Sequence, residues 1–258
     1  MSLQNDLKLK QLYQLLPKEV VVSATWLEEH GISRQLRYKY VKSGWLHSVG
    51  HSAYIINPKC FTWQGLIVGL QEFSELPYHV GGLKALELQG FAHYLPIGDE
   101  NKISLYGKKN LPTWLKNLNM GFELVLYKKP YIDTIPLKDL SSNIQGYSLK
   151  VSSPEQAIFE LLFLVEKDGI SFEFVSEIFE GLTTLRPNTI NKLLVICTSK
   201  KVKRLFAFFM EHYNHPWSGF IDLKDIEFGT GKMQIVKSGT MNKKYLITIP
   251  KDYIDGSK

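Results

Sequence analysis

The chain has 258 residues, of which 44% are hydrophobic and 22% charged, with a formal net charge of +6. This composition is near the globular average, which excludes a largely disordered chain. The most apolar stretch, residues 157–165, is shorter than the ~20 residues of a membrane span and contains Glu160. The first ten residues lack the apolar run of a signal peptide, and Cys60 and Cys197 match no metal or redox spacing. We therefore expect a reduced cytoplasmic protein.

The positive charge is unevenly distributed along the chain. Residues 30–71 contain five basic and no acidic residues, and residues 181–210 contain six basic and no acidic residues. Two such tracts favour a polyanion, of which nucleic acid is the commonest. The alternative is a pair of solvated faces whose acidic neighbours come from elsewhere in the fold.

The N-terminal region predicts a helix-turn-helix followed by a hairpin. Residues 7–16 have apolar residues at helical spacing, and residues 20–22 are β-branched. Ser23 is a typical N-cap for a helix that ends at Gly31, and Ser33 can cap a second helix that ends near Gly44. Residues 45–56 then form two short strands around a glycine-containing turn. This order is that of a winged helix-turn-helix, and we predict it for residues 1–57.

The helix that begins after Ser33 has the properties of a recognition helix. Leu36 and Tyr40 share one face, which can pack on the preceding helices, while a hydrogen-bonding and basic face lies opposite. We predict that Arg34, Gln35, Tyr38 and Lys42 read bases, and that Ser33, Arg37 and Lys39 contact phosphates. The alternative is an ordinary amphipathic helix with a solvated basic face.

Residues 58–258 predict a larger C-terminal domain of mixed α/β structure, with possibly two subdomains inside it. Helices are expected at 62–73, 83–89 and 154–166, and a short one after Pro112. Strands are expected at 92–95, 102–106, 122–127 and 147–151. A helical block follows at 172–179, 188–197 and 200–213, and then strands at 233–236 and 245–249. The predicted fold class is therefore α+β.

The last helix of that block begins with a cluster of cations. Lys200, Lys201, Lys203 and Arg204 occupy its first two turns, where the helix dipole disfavours positive charge by ~0.3–1 kcal/mol each. Such a placement favours a second phosphate-binding patch, because free backbone N–H groups lie at the same end of the helix. A solvated, salt-screened turn is the alternative.

Three segments resemble the AbiEi antitoxin family of type IV toxin–antitoxin and abortive-infection systems. GISRQLRYKYVKSGWLHSVGHSAY (31–54) resembles the winged N-terminal domain of that family. VGGLKALELQGFAHYL (80–95) and LKVSSPEQAIFELL (149–162) are similar to two motifs of its antitoxin domain.

The resemblance implies a bacterial autorepressor that binds inverted repeats of double-stranded DNA in its own promoter. It also implies that the C-terminal part counteracts a co-encoded nucleotidyltransferase-like toxin without forming a stable complex. In one respect the chain departs from the family, because His51 and Ser52 stand where the wing would have a basic residue and a glycine. We therefore expect a wing contact from His51 that is weak at neutral pH.

No catalytic, metal or cofactor motif accompanies these features. Gly229-Thr230-Gly231-Lys232 lacks the remaining residues of a phosphate-binding loop, and the histidine pairs lack further metal ligands. We thus predict a protein that is not an enzyme. Three alternatives remain: an enzyme with a DNA-binding appendage that modifies the toxin or its target, a stand-alone winged-helix regulator, and a domain that sequesters the toxin.

Overall fold

The structure is a computed structural model that describes residues 3–74, 76–91, 101–118, 121–128, 132, 137–144 and 146–253. The chain divides into two compact units. The first unit comprises residues 1–79, 101–128 and 138–151, and the second comprises residues 80–100, 129–137 and 152–258. Both units combine helices with strands, so the predicted α+β class is confirmed.

The first unit begins with the predicted winged helix-turn-helix. Its elements are α1 (Leu3–Leu15), β1 (Val22–Ser23), α2 (Ala24–Glu29), α3 (Arg34–Lys42), β2 (His47–Gly50) and β3 (Ala53–Ile55). Ser23 and Ser33 cap α2 and α3 as predicted, since their hydroxyl oxygens accept from the backbone N–H groups of Trp26 and Leu36. Gly31 and Gly44, at φ +77° and +75°, end these helices in the left-handed conformation that favours glycine.

A small antiparallel sheet forms the wing. The strand order is β1-β3-β2. Tyr54 in the central strand lies opposite Val22 of β1 on one side and opposite Ser48 of β2 on the other. His51 and Ser52 make the turn between β2 and β3, and the N–H of Ala24 donates to the carbonyl of Ser52 at 2.9 Å. The tip of the wing is therefore fixed to the start of α2.

The rest of the first unit packs directly on this region. A 3₁₀ turn (Pro58–Cys60) precedes α4 (Trp63–Val68), which continues as a π-helical turn (Gly69–Phe73). A Cβ atom at Gly65 would lie 2.1 Å from the carbonyl oxygen of Glu19, and one at Gly69 would lie 2.0 Å from that of Val21. These two glycines let the helix backbone touch the chain that leads into β1. The first unit continues past residue 57. The domain boundary predicted between residues 57 and 58 stays a prediction.

A second sheet follows with the order β6-β5-β4-β8-β7. Its strands are β4 (His79–Val80), β5 (Lys102–Tyr106), β6 (Glu123–Tyr127), β7 (Lys138–Ser141) and β8 (Ser148–Val151). β5 and β6 are parallel, and β7 and β8 are antiparallel. The short helix predicted after Pro112 is a 3₁₀ turn (Thr113–Asn117), while the strand predicted at residues 92–95 lies outside the described residues.

The second unit contains the predicted helical block and a β-rich tail. Its helices are α5 (Gly82–Leu88), α6 (Pro154–Leu164), α7 (Phe172–Glu180), α8 (Pro187–Ile196) and α9 (Lys200–Tyr213). After a 3₁₀ turn (Ser218–Phe220), β9 (Met233–Gln234), β10 (Thr240–Asn242) and β11 (Ile247–Ile249) form a sheet with the order β10-β11-β9, and a 3₁₀ turn (Lys251–Tyr253) follows. Phe206 and Phe209 of α9 are fully buried and contact Phe179 of α7, which places the core between these helices.

A buried carboxylate joins the two antitoxin-like motifs. The N–H of Gly82 donates to Glu160 Oε2 at 2.8 Å, and the hydroxyl of Ser152 donates to the same carboxylate. Gln89 Nε2 in turn donates to the carbonyl of Ser152 at 2.9 Å. Gly82 has a φ of +55°, so a residue with a side chain would be strained there. The motifs around residues 80–90 and 152–160 therefore form one packed helix pair.

Candidate nucleic-acid interface

The helix α3 presents one buried face and one free polar face. Tyr40 is fully buried and Leu36 is 7% exposed, so they anchor the helix as predicted. The opposite face is solvent-exposed, and Tyr38 on it is 69% exposed. It consists of Arg34, Gln35, Tyr38, Lys39 and Lys42. In the part of the chain that the structure describes, these five side chains make no hydrogen bond or ion pair, so they are available to a ligand.

The helix α1 holds both ends of α3 in place. Lys8 Nζ donates to the carbonyl of Gly31, in the turn before α3, at 3.0 Å. Tyr13 Oη donates to the carbonyl of Trp45, just after α3, at 3.0 Å. The two rings of Tyr13 and Trp45 also meet edge to face, with centroids 6.3 Å apart. These contacts fix the exposed face of α3 before any ligand binds, which reduces the ordering cost of binding.

Trp45 is an exposed aromatic residue that the sequence analysis did not assign to the interface. It is 45% exposed and follows the C-terminal stop of α3 at Gly44. The signal in the sequence was an aromatic residue directly after a helix-stopping glycine. Its place just after the end of α3 puts it at the margin of the α3 face.

Arg37 does not belong to the exposed face, and its predicted phosphate contact is corrected here. Only 6% of the residue is exposed. Its Nη1 donates to Glu28 Oε1 at 2.8 Å and to the carbonyl of Ala24 at 3.2 Å, and its guanidinium carbon lies 5.7 Å from the centre of the Tyr54 ring. Arg37 thus connects α2, α3 and the wing, and its charge is already paired inside the protein.

The two ends of the predicted interface are formed by the polar residues Ser33 and His51. The Ser33 side chain accepts from the N–H of Leu36 at 3.3 Å, which leaves its hydroxyl proton free to donate. His51 is exposed at the tip of the wing and has no hydrogen-bond partner among the described residues. The wing therefore carries no permanent charge of its own at its tip.

The four cations at the start of α9 do not form a phosphate-binding patch, and this prediction is corrected as well. Arg204 is 2% exposed and donates to the carbonyls of Phe228, Gly231 and Leu246 at 2.7, 2.6 and 3.2 Å. Its charge therefore stabilises the loops of the tail. Lys203 is 6% exposed, so it too is mostly withdrawn from solvent.

The remaining two lysines of this cluster are also engaged. Lys200 Nζ lies 2.6 Å from the carboxylate of Glu227. Lys201 Nζ donates to the carbonyls of Phe163 and Val165 at the C-terminal end of α6, at 3.1 and 2.5 Å. Burial, together with the charge of Lys167, lowers the pKa of Lys201 to about 8. Lys200, Lys201 and Arg204 thus make contacts within the second unit, and Lys203 is buried.

The net positive charge of the protein lies in the first unit. That unit has 15 basic and 8 acidic residues, a net charge of +7, whereas the second unit has 16 basic and 17 acidic residues, a net charge of −1. A polyanion is therefore attracted to the unit that carries the exposed face of α3.

The structure also bears on two other kinds of site. Among the described residues, no cluster of three or more histidine, cysteine or acidic side chains is arranged to hold a metal ion. Within the same ranges, no helix has the length and apolarity that crossing a membrane requires.

Two models of one protein family match this chain, one in its N-terminal part and one in the remainder. Residues 5–97 match the family described as "Transcriptional regulator, AbiEi antitoxin N-terminal domain", and residues 100–250 match "Transcriptional regulator, AbiEi antitoxin, Type IV TA system". The crystal structure of the RV2827C protein from Mycobacterium tuberculosis is similar in fold, with a TM-score of 0.58 at 14% sequence identity. That match covers 93% of this chain and 88% of the other. No curated protein is significantly similar in sequence.

Proposed function

Because the chain belongs to the AbiEi family of transcriptional-regulator antitoxins from type IV toxin–antitoxin systems, we propose that it represses its own operon by binding DNA through α3. The first unit binds double-stranded DNA, and the second unit counteracts a co-encoded nucleotidyltransferase-like toxin. Both activities belong in the cytoplasm and need no cofactor or catalytic step. The family description as a regulator supports a protein that is not an enzyme.

The exposed face of α3 carries the proposal. Arg34, Gln35 and Tyr38 lie within the first turn and a half of a helix whose other face is buried. Arginine pairs with the O6 and N7 acceptors of guanine, and glutamine pairs with the corresponding edge of adenine, in the major groove. We assign base contacts to these residues and to Lys42, and phosphate contacts to Ser33, Lys39 and, at the wing, His51.

Inverted repeats in the promoter are the DNA target that we propose. One copy of the first unit would occupy each half-site, with the two α3 helices in major grooves that face the same side of the duplex. Half-sites read in this way lie ~34 Å apart or at a multiple of that distance. The two copies would be related by a twofold axis on the DNA.

The operator proposal is tested by a mobility-shift assay on the region upstream of the protein's own gene. We expect a retarded complex that survives excess scrambled duplex, and a footprint with two protected half-sites of inverted sequence. Equal affinity for the upstream region and the scrambled duplex would refute specific DNA binding.

The antitoxin proposal is tested by co-expression with the neighbouring toxin gene. We expect the full-length protein to restore growth, and we expect the two purified proteins to elute separately at micromolar concentration. Co-elution would contradict a mechanism without a stable complex and would favour sequestration. Failure to restore growth would refute the antitoxin function itself.

A further inference from the structure

The wing is braced by a neighbouring segment that carries its own positive charge. Residues 101–122 contain four lysines and no acidic residue. Part of this segment, the 3₁₀ turn Thr113–Asn117, packs against β2 within the first unit. A Cβ atom at Gly50, next to the wing tip, would lie 3.2 Å from the carbonyl of Trp114 and 3.1 Å from the side chain of Leu118. Residues 113–118 of this segment therefore lie directly beside the wing.

Two lysines of this segment are exposed on a loop that is anchored at both ends. Lys108 and Lys109 are exposed and have no hydrogen-bond or ion-pair partner within the described ranges. On one side, Gly107 packs so closely on the ring of Tyr78 that a Cβ atom would lie 2.4 Å from it. On the other side, Tyr78 Oη donates to the carbonyl of Asn110 at 2.6 Å, and the ammonium of Lys128 donates to the Asn110 side chain.

The length of the chain limits how far the two charges can lie from the 3₁₀ turn beside the wing. Lys109 precedes Trp114 by five residues, a distance of at most ~18 Å even in a fully extended chain. One turn of duplex DNA measures ~34 Å, so DNA in contact with the wing has phosphates within reach of this loop. His51 and Ser52 supply no permanent charge at the tip. The neighbouring lysines can supply the charge that the tip lacks.

We propose that Lys108 and Lys109 form a second, sequence-independent contact of the first unit with the DNA backbone beside the wing. This inference rests on the proposed DNA-binding function and extends it to a segment outside the winged helix-turn-helix. The partner is the phosphate backbone of the duplex, because two lysines on a short loop recognise phosphates as point charges and read no bases.

The test compares salt dependence and footprints for matched pairs of variants of the full-length protein. In the first pair, Lys108→Gln and Lys109→Gln are combined. The control combines Lys237→Gln and Lys243→Gln, and it removes the same charge from exposed lysines of the second unit that have no partner among the residues the structure describes. Each phosphate contact adds ~0.9 to the log–log slope of affinity against salt, so we expect the first pair to lower the slope by about 2.

The Lys108/Lys109 variant is also expected to protect a shorter region of DNA at the wing side. Its affinities for operator and for scrambled DNA should fall by the same factor. The control pair should leave slope and footprint unchanged. An unchanged slope and footprint for the Lys108/Lys109 pair would overturn the inference. The proposed function is decided separately by Arg34→Ala combined with Lys42→Ala, because that variant tests base reading by α3. Thermal melting checks that all variants fold, and the exposure of the substituted lysines predicts unchanged midpoints.

Discussion

The guanidinium of Arg37 lies 2.8 Å from the carboxylate of Glu28, although Arg37 belongs to a helix with four basic and no acidic residues. The same nitrogen also donates to the carbonyl of Ala24, while Glu28 itself is half-exposed. Arg37 is therefore part of the scaffold that positions α3, and its neighbours Arg34 and Lys39 form the surface. Two cations three residues apart on one helix have different tasks.

Replacing Arg37 with alanine tests this division of tasks. The change removes one donor to the carbonyl of Ala24 and the ion pair with Glu28 that links α3 to α2. We expect a loss of about 1–3 kcal/mol in the free energy of unfolding. Thermal and denaturant melts measure it. Lys39→Ala is the control, because it removes an exposed cation and should change the salt dependence of DNA binding while leaving the melt unaffected. The reverse pattern would contradict the assignment.

The cluster at the start of α9 gives a second stability prediction. Arg204→Met removes three part-buried hydrogen bonds from a charged donor to backbone carbonyls, each of which contributes about 1.5–3 kcal/mol. We expect the second unit to unfold at a clearly lower temperature. Lys200→Gln, which breaks one half-exposed ion pair, should be nearly neutral. If instead both variants melt normally and lower the salt slope of DNA binding, the cluster is a phosphate-binding patch after all.

The pH dependence of stability should follow Glu155 and Arg186. Burial alone raises the pKa of the Glu155 carboxyl, but hydrogen bonds from the Arg186 side chain and backbone outweigh it, so the pKa lies below its ordinary value. A lowered folded-state pKa stabilises the protein above the unfolded pKa, and this contribution disappears as the pH falls through the folded value.

Arg186→Met removes the side-chain part of this interaction. We expect the difference in unfolding free energy between wild type and this variant to be largest at neutral pH and to shrink below pH ~4.5. Glu173→Gln, an exposed substitution in α7, serves as the control for general acid effects. A difference that stays constant between pH 7 and pH 3 would contradict the pairing.

A substitution at the tip of the wing is predicted to make DNA binding tighter. His51 is exposed and lacks partners in the described part of the chain, so His51→Arg adds a permanent positive charge at the tip. We expect tighter binding to all duplexes and an increase of ~0.9 in the salt slope. His51→Gln is the neutral control. No change with arginine would show that the tip does not approach the backbone.

Local sequence patterns predicted the helix-turn-helix well because its signals are local. Ser23, Gly31, Ser33 and Gly44 act on the backbone within a few residues, and the helices begin and end where these residues stand. The apolar face of α3 was also predicted correctly, since Leu36 and Tyr40 follow helical periodicity.

Local patterns could not predict which side chains are paired inside the protein, because those contacts join residues distant in sequence. Arg37 lies on the boundary of the α3 face, and contacts with Glu28 and the carbonyl of Ala24 draw it inward. The carbonyls that bind Arg204 lie 24 to 42 residues further along the chain. The Gly81-Gly82 pair likewise has its reason in Glu160, 78 residues after Gly82. A helical wheel contains none of these partners.

The central claim is that the exposed face of α3 reads the operator. Its most direct test is a salt titration of operator affinity for wild type and for Arg34→Ala combined with Lys42→Ala. Each lost base contact costs about 1–3 kcal/mol, so we expect operator affinity to fall by at least ~10-fold, and specificity over scrambled DNA to fall with it. Unchanged affinity, slope and specificity in a variant that melts like the wild type would contradict the account.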